Sequence, residues 1–132
     1  MEGLMFSKIY LDQILKGERK NDTRMHPTRV RGLIALVDAD DRMIRATAVL
    51  NGVEPVPYKE FADRNISAVR SEIPLAASPS SRTCWSYILD DLRILKAPVD
   101  IGDRDAHMWI DLPDGIVDSF EYLRPQRFKH RH

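Results

Sequence analysis

The chain has 132 residues, of which 43% are hydrophobic, and its 20 basic residues balance 20 acidic ones. This length and composition predict one domain with a core large enough to need no disulfide framework. The single cysteine, Cys84, excludes an internal disulfide and a multi-cysteine zinc site. No apolar run approaches the roughly 20 residues that span a bilayer, and the first residues do not form a secretory signal. We therefore expect a cytoplasmic protein with no membrane partner.

The first predicted element is a helix over about residues 8–16, which begins after Ser7 and ends at Gly17. Serine is a favoured N-cap residue, and the apolar residues that follow Ser7 recur at helical spacing. A glycine after such a helix favours a left-handed cap, because glycine adopts positive φ without a steric penalty.

Residues 17–24 form a densely charged stretch immediately after this helix. In an extended strand, alternate side chains face opposite ways, so Lys20, Asp22 and Arg24 would share one face. In a loop, Arg19 and Asp22 can instead converge across a turn. Both arrangements suit a polar or anionic ligand. The alternative is a solvated connector with weak surface ion pairs.

Charge is unevenly distributed along the chain, although the formal net charge is zero. Residues 16–31 contain six basic side chains against two acidic ones. The segment 124–132 contains four arginines and lysines and no acidic residue. We predict that this segment is a basic tail and that the domain itself spans residues 1–123.

A hairpin is predicted from an apolar run at 33–37, an acidic turn at 38–41 and a strand with period-two alternation at 43–53. Two prolines then interrupt the strand pattern. A helix is predicted at about 58–64, followed by a long loop over 65–82 that contains two prolines and several serines.

Two further strands are predicted at 84–95 and at about 106–112. A last helix is predicted at about 114–123, with Asp114 as its N-cap. Strands that are adjacent in sequence favour antiparallel pairing. The predicted class is therefore α+β: a small, mostly antiparallel β-barrel with flanking helices.

Common catalytic and cofactor motifs are absent from the sequence: it contains no Walker loop, dinucleotide fingerprint, HExxH or nucleophile elbow. We therefore expect no cofactor and no metal. Cys84 lies in a strand pattern beside Trp85, which favours a buried, inert thiol. Core packing is the default for Trp85, Tyr87 and Trp109, and the alternative is a stacking surface for a nucleobase.

The charged stretch resembles the signature of the ASCH (activating signal cointegrator homology) domain, which is glycine, any residue, lysine, any two residues, glutamate, any residue, arginine. Gly17 and Arg24 match this signature. Arg19 stands where the family has lysine, and Asp22 where it has glutamate. The resemblance covers about residues 4–112, and it implies a PUA-like barrel that binds RNA or a modified base.

The resemblance implies an RNA- or nucleotide-binding domain as the leading function. The residues assigned to the site are Arg19, Lys20, Asp22, Arg24, Trp85, Tyr87 and Trp109. The three basic side chains would engage phosphate or base edges, and an aromatic ring would stack on a base. Asp22 would orient an arginine or accept a hydrogen bond from a base amine. A competing role for Arg24 is that of a buried partner of Asp22 that holds the motif in shape.

Two other functions stay open. Some small ASCH-like proteins hydrolyse an acylated cytosine nucleoside, and the resemblance would assign catalysis to the motif lysine and to a threonine three residues later. Those places hold Arg19 and Asp22 here, and arginine cannot lose its proton to act as a base. Another branch is a metal-assisted ribonuclease, and no metal-ligand pattern occurs in this sequence. The third possibility is a protein-interaction domain that binds no nucleic acid.

Overall fold

The computed structural model describes residues 1–57, 83–102 and 107–123. Its elements in chain order are β1 (Glu2–Phe6), α1 (Lys8–Leu15), β2 (Asn21–Arg24), β3 (Gly32–Asp38), β4 (Met43–Pro57), β5 (Thr83–Asp100), β6 (Trp109–Asp111) and α2 (Asp114–Val117). The six strands form one sheet in the order β2-β5-β4-β3-β1-β6. Four of the five strand pairings among these residues are antiparallel, and the pairing of β1 with β3 is parallel.

The predicted α+β class with mostly antiparallel strands is confirmed. The predicted barrel is not confirmed, because within the described ranges the sheet is open and β2 and β6 are its two edges. The predicted helix at 58–64, the loop at 65–82 and the basic tail at 124–132 lie outside the described residues. In the part of the chain that is described, no helix is long and apolar enough to cross a membrane.

Strand β1 was not predicted from the sequence. Its apolar run, Leu4 to Phe6, is too short to distinguish a buried strand from the approach to a helix. Its partners are distant in sequence: Leu4 pairs with Leu36 on one side and with Trp109 on the other. These pairings decide the conformation of β1, and no local pattern records them.

Strand β4 continues through the prolines that were expected to interrupt it. Pro55 pairs with Trp85, and the strand ends at Pro57. The pairing of β3 with β4 stops at Leu50. Beyond Leu50, β4 has a neighbour on one side only among the described residues, so the absent N–H of a proline does not disrupt a second ladder.

Helix α2 is much shorter than the predicted helix at 114–123. It begins after Pro113 rather than after Asp114 and ends at Val117. The residues that follow bond to β5 instead: the amide of Leu123 donates to the carbonyl of Ile94 at 2.8 Å, and Tyr122 forms a bridge with Leu95. These tertiary hydrogen bonds replace the helical bonds that the sequence pattern favours.

The sheet packs hydrophobic side chains on both faces, because successive residues of a strand point to opposite sides. One cluster joins the sheet to α1, and its larger members are Leu4, Phe6, Leu11, Ile14, Ile34, Leu36, Leu50, Tyr87 and Leu89. The other cluster contains Met5, Val37, Ile44, Leu95, Ile101, Ile110 and Leu112, and residues of α2 pack against it. Burying each large side chain contributes about 1.5–3 kcal/mol.

Helix α1 begins and ends as the sequence predicts. Ser7 is its N-cap residue, and Gly17 follows the C-cap with φ of 77°. The amide of Gly17 donates to the carbonyl of Ile14 at 3.0 Å, and the amide of Glu18 donates to that of Gln13 at 2.9 Å. This pair of bonds is a Schellman motif, which satisfies carbonyl groups at the end of the helix.

Gly17→Ala should destabilise the protein by about 1 kcal/mol, because alanine is strained at positive φ. A Cβ atom at Gly17 would meet no heavy atom within 4 Å, so the cost comes from the backbone and not from a clash. Chemical denaturation of the variant measures it. Gly115→Ala is the matched control: Gly115 also has open space around it but lies within α2, where alanine is favoured. An unchanged midpoint for Gly17→Ala would contradict the strained cap.

Candidate functional site

The turn at Gly17 directs the charged stretch onto the edge of the sheet. Residues 21–24 form β2, which runs antiparallel to β5. In this register Asp22 lies opposite Tyr87, and Arg24 lies opposite Trp85. Because the side chains of a strand alternate, Asp22 and Arg24 point to the same face of β2 and can reach each other.

Asp22 and Arg24 form a buried ion pair. The side chain of Asp22 is 2% exposed and that of Arg24 is 12% exposed. The Nε–H of Arg24 donates to Oδ2 of Asp22, and Nη2 donates to the carbonyl oxygen of Met5 at 2.6 Å. The guanidinium carbon lies 4.9 Å from the centroid of the Phe6 ring. A charged hydrogen bond, a backbone acceptor and an aromatic face thus hold this guanidinium in one orientation.

These contacts join two parts of the sheet that are far apart in the strand order. Arg24 belongs to β2 at one edge, whereas Met5 belongs to β1, next to the other edge. The amide of Met5 already donates to the carbonyl of Met108, which precedes β6. We call the contact set of Asp22, Arg24 and the Met5 carbonyl the Arg24 bridge. It connects β1 and β2 through a side chain where no backbone ladder connects them in the described residues.

Tyr87 lies opposite Asp22 in the pairing of β2 with β5 and is completely buried. Its hydroxyl donates to the carbonyl of His26 at 2.6 Å, which fixes the start of the irregular segment after β2. Burial raises the pKa of Tyr87 to about 12, and the nearby charge of Arg24 acts in the opposite direction. The neutral phenol is therefore stabilised here as a structural hydrogen-bond donor.

Arg19 and Lys20 line a separate cleft, which we call the α1 cleft. Its volume is about 290 Å³, and the lining residues are Ile14, Gly17, Arg19, Lys20, Leu89, Asp90, Asp91 and Leu92. The Nε–H of Arg19 donates to Oε1 of Gln13 at 3.0 Å, and its guanidinium carbon lies 5.3 Å from the centroid of the Tyr10 ring. Two cations of the charged stretch thus share the lining of this cleft with two carboxylates of β5 and with apolar side chains.

The two tryptophans are half-buried and lie on different strands. Trp85 of β5 is opposite Arg24 in the β2 register, and Trp109 of β6 is opposite Leu4. Both pack against the cluster that joins the sheet to α1. Trp85 is thus the predicted aromatic residue that combines partial exposure with a position beside the charged stretch.

The structure divides the predicted site residues into three locations. Asp22, Arg24 and Tyr87 meet in the buried centre with Trp85 beside them, Arg19 and Lys20 line the α1 cleft, and Trp109 lies on β6. Cys84 is buried, as predicted. Within the described ranges, no three His, Cys, Asp or Glu side chains gather as they do around a metal ion.

Sequence reasoning missed the partners that complete both locations. Phe6 and the Met5 carbonyl contact Arg24 from β1, an element that was not predicted. Asp90 and Asp91 contribute carboxylates to the α1 cleft. The one available signal was the adjacent pair of acidic residues within an otherwise alternating strand pattern. The structure places a positive φ of 49° at Asp91.

Comparison with solved structures finds ASCH proteins that share the fold of this chain. No family model matches the sequence, and no curated protein matches it. The ASCH protein from Zymomonas mobilis superposes with a TM-score of 0.65 at 10% identity, covering 91% of this chain and 95% of that chain. A tyrosine-to-phenylalanine variant of that protein gives 0.66 at 10% identity, with 91% and 98% covered. A serine-to-alanine variant gives 0.62 at 10% identity, with 89% and 91% covered.

The chain therefore has the fold of ASCH domain proteins. The resemblance that residues 17–24 carry in the sequence is confirmed at the level of three-dimensional structure. A likeness at 10% identity establishes the fold, and any activity has to be argued from the side chains of this chain.

Proposed function

We propose that this protein binds single-stranded RNA or a nucleotide, in the cytoplasm, through the basic surface that surrounds the end of α1 and β2. The observation that carries the proposal is the charge of residues 16–31. Of the two acidic residues in this segment, Asp22 is buried against Arg24. The exposed charged residues of the segment are four cations, Lys16, Lys20, Arg29 and Arg31, and one anion, Glu18, so its surface is basic.

Lys20 and Arg19 are the residues that contact phosphate in this proposal. Lys20 is exposed at the rim of the α1 cleft, where its ammonium group can approach a backbone phosphate. Arg19 is held by Gln13 and by the ring of Tyr10, so little side-chain freedom remains to be lost on binding. Orientation before binding favours affinity, because less conformational entropy is lost in the complex.

Asp22, Arg24 and Tyr87 act in this proposal by holding the surface in shape. Arg24 connects β2 to β1, and Tyr87 holds the segment after β2 through His26. We further propose that the Arg24 bridge completes a PUA-like barrel, with side-chain contacts replacing one backbone ladder.

An aromatic ring is needed to stack on a base, and Trp85 is the proposed residue. Its indole is partly exposed and lies opposite Arg24 in the strand register. Stacking of a base on an aromatic ring contributes about 1–3 kcal/mol and tolerates any sequence. Trp109 is the second aromatic residue of the proposed site, from β6.

Lys20→Gln should weaken binding of a short unstructured RNA and lower the salt dependence of that binding. Loss of one phosphate contact on a single strand reduces the slope of log K against log salt by about 0.7. Fluorescence anisotropy titrations over a series of salt concentrations measure the slope. Lys96→Gln is the matched control, because Lys96 is an exposed lysine on β5 outside the basic segment.

The wild-type titration also separates the alternative functions. A wild-type protein that binds no RNA or nucleotide at low salt would remove the proposal. Turnover of an acylated cytidine would instead identify a hydrolase, and turnover of the RNA itself a nuclease. Equal salt slopes for Lys20→Gln and the wild type would remove Lys20 from the contact surface.

A further inference from the structure

At Asn51, in the middle of β4, the pairing of β4 with both of its neighbouring strands, β3 and β5, is interrupted. On one side, the pairing of β3 with β4 ends at Leu50. On the other, the register between β4 and β5 shifts between Leu50 and Gly52, so Asn51 is the extra residue of a β-bulge. A bulged residue has no partner in the ladder, and the ladder is locally disrupted around it. Asn51 itself therefore has no regular backbone partner on either neighbouring strand in the described residues.

The residue after Asn51 is a glycine, and Asn51 is the one asparagine of the chain with that neighbour. Gly52 has no side chain to shield its amide nitrogen or to restrict rotation around it. The side chain of Asn51 is exposed, and its Nδ2 donates to Oδ2 of Asp90 at 2.8 Å. Exposure, a missing ladder partner and a following glycine thus coincide at one amide.

We infer that Asn51 is a site of spontaneous deamidation in the folded protein. The amide nitrogen of Gly52 attacks Cγ of Asn51, and a new N–Cγ bond forms. The bond from Cγ to Nδ2 breaks, and the nitrogen leaves as ammonia with the proton that Gly52 gives up. Water then opens the five-membered imide at either carbonyl and leaves aspartate or isoaspartate. One water is consumed and one ammonia is released, and no oxidant or enzyme takes part.

The product changes the contact with Asp90. A carboxylate replaces the amide, so the hydrogen bond from Asn51 is lost and two like charges face each other across β4 and β5. Isoaspartate also inserts an extra methylene into the backbone of β4. Since Asp90 lines the α1 cleft, deamidation of Asn51 removes a hydrogen bond to a carboxylate of that cleft.

Incubation of the folded full-length chain in mildly alkaline buffer, followed by peptide mapping with mass spectrometry, tests the inference. We expect the mass increase of an NH2-to-OH exchange at Asn51, with two products that separate by chromatography. Asn21 is the internal reference, because it precedes Asp22 and lies in the paired strand β2. Conversion at Asn51 that is no faster than at Asn21 would overturn the inference.

Gly52→Ala tests the attacking atom. An added Cβ would lie 3.8 Å from Cδ1 of Ile88, an ordinary contact, so this variant should fold. Its conversion at Asn51 should be severalfold slower, and an unchanged rate would overturn the route through Gly52. Asn51→Asp, which reproduces one product, should melt below the wild type, and adding Asp90→Asn should restore most of the loss. A melting temperature of Asn51→Asp equal to that of the wild type would overturn the stated effect on Asp90.

Discussion

Arg24→Ala should lower the free energy of unfolding by about 3–5 kcal/mol, the cost of breaking one side of a buried ion pair. The variant leaves Asp22 as a carboxylate that is 2% exposed and has lost its cation. It also leaves the Met5 carbonyl without the 2.6 Å hydrogen bond from Nη2. Both unmet groups lie in the region that connects β1 with β2, so the loss should appear in global unfolding.

Chemical denaturation of Arg24→Ala and of Arg29→Ala measures this effect against a matched control. Arg29 is an exposed arginine of the same segment, and a surface substitution typically changes stability by less than 0.5 kcal/mol. The double variant Asp22→Leu with Arg24→Met should recover much of the lost stability, because well-packed apolar side chains often replace a buried ion pair without cost. Equal stabilities for Arg24→Ala and the wild type would show that the Arg24 bridge is not structural.

RNA titration of the same Arg24→Ala sample separates the two roles of Arg24. If Arg24 contacts the ligand, the variant folds normally and loses affinity. If Arg24 instead holds the motif in shape, the main effect of the variant is a lower free energy of unfolding. The burial of Arg24 and its contacts with Asp22, the Met5 carbonyl and the Phe6 ring favour the second result.

Raising the pH from 10 to 12 should destabilise the protein by about 2 kcal/mol through Tyr87 alone. Burial raises the pKa of Tyr87 from 10.0 to about 12. Below pH 10 the phenol is neutral in both the folded and the unfolded chain, and its contribution is fully present. Between the two pKa values the unfolded chain loses the proton and the folded chain keeps it, so stability falls as pH rises. Above pH 12 both states are ionised and the loss is complete.

Denaturation of the wild type and of Tyr87→Phe across this pH range isolates the contribution of Tyr87, because the other tyrosines and the lysines titrate in both proteins. At neutral pH the variant should be less stable by about 1 kcal/mol, since the carbonyl of His26 loses its donor. The difference between the two proteins should then shrink and reverse with rising pH. Parallel stability curves would contradict a raised pKa for Tyr87.

The sequence alone predicted the elements that depend on local interactions. Helix α1, which lies between Ser7 and Gly17, follows from helical spacing and from the freedom of glycine to adopt positive φ. The hairpin of β3 and β4 follows from alternation around an acidic turn. Each of these signals lies within a few residues of the feature that it predicts, so no tertiary information was needed.

The charged stretch shows where such local reasoning stops. Its residues were identified as important from their type and from a resemblance, and their common location near the end of α1 follows from chain connectivity. The sequence left two roles open for Arg24, as a ligand contact or as a partner of Asp22. Whether a cation points toward solvent or toward the core depends on its neighbours in space, and these come from a strand that was not predicted.

Tertiary structure decided the features that depend on partners distant in the chain. Leu4 lies in a strand because Leu36 and Trp109 pair with it. The final helix stops at Val117 because the segment after it forms backbone hydrogen bonds with β5. Arg24 is buried because the Met5 carbonyl and the Phe6 ring meet it from β1. In each case the local pattern was compatible with more than one outcome, and hydrogen bonding and burial against remote residues selected one of them.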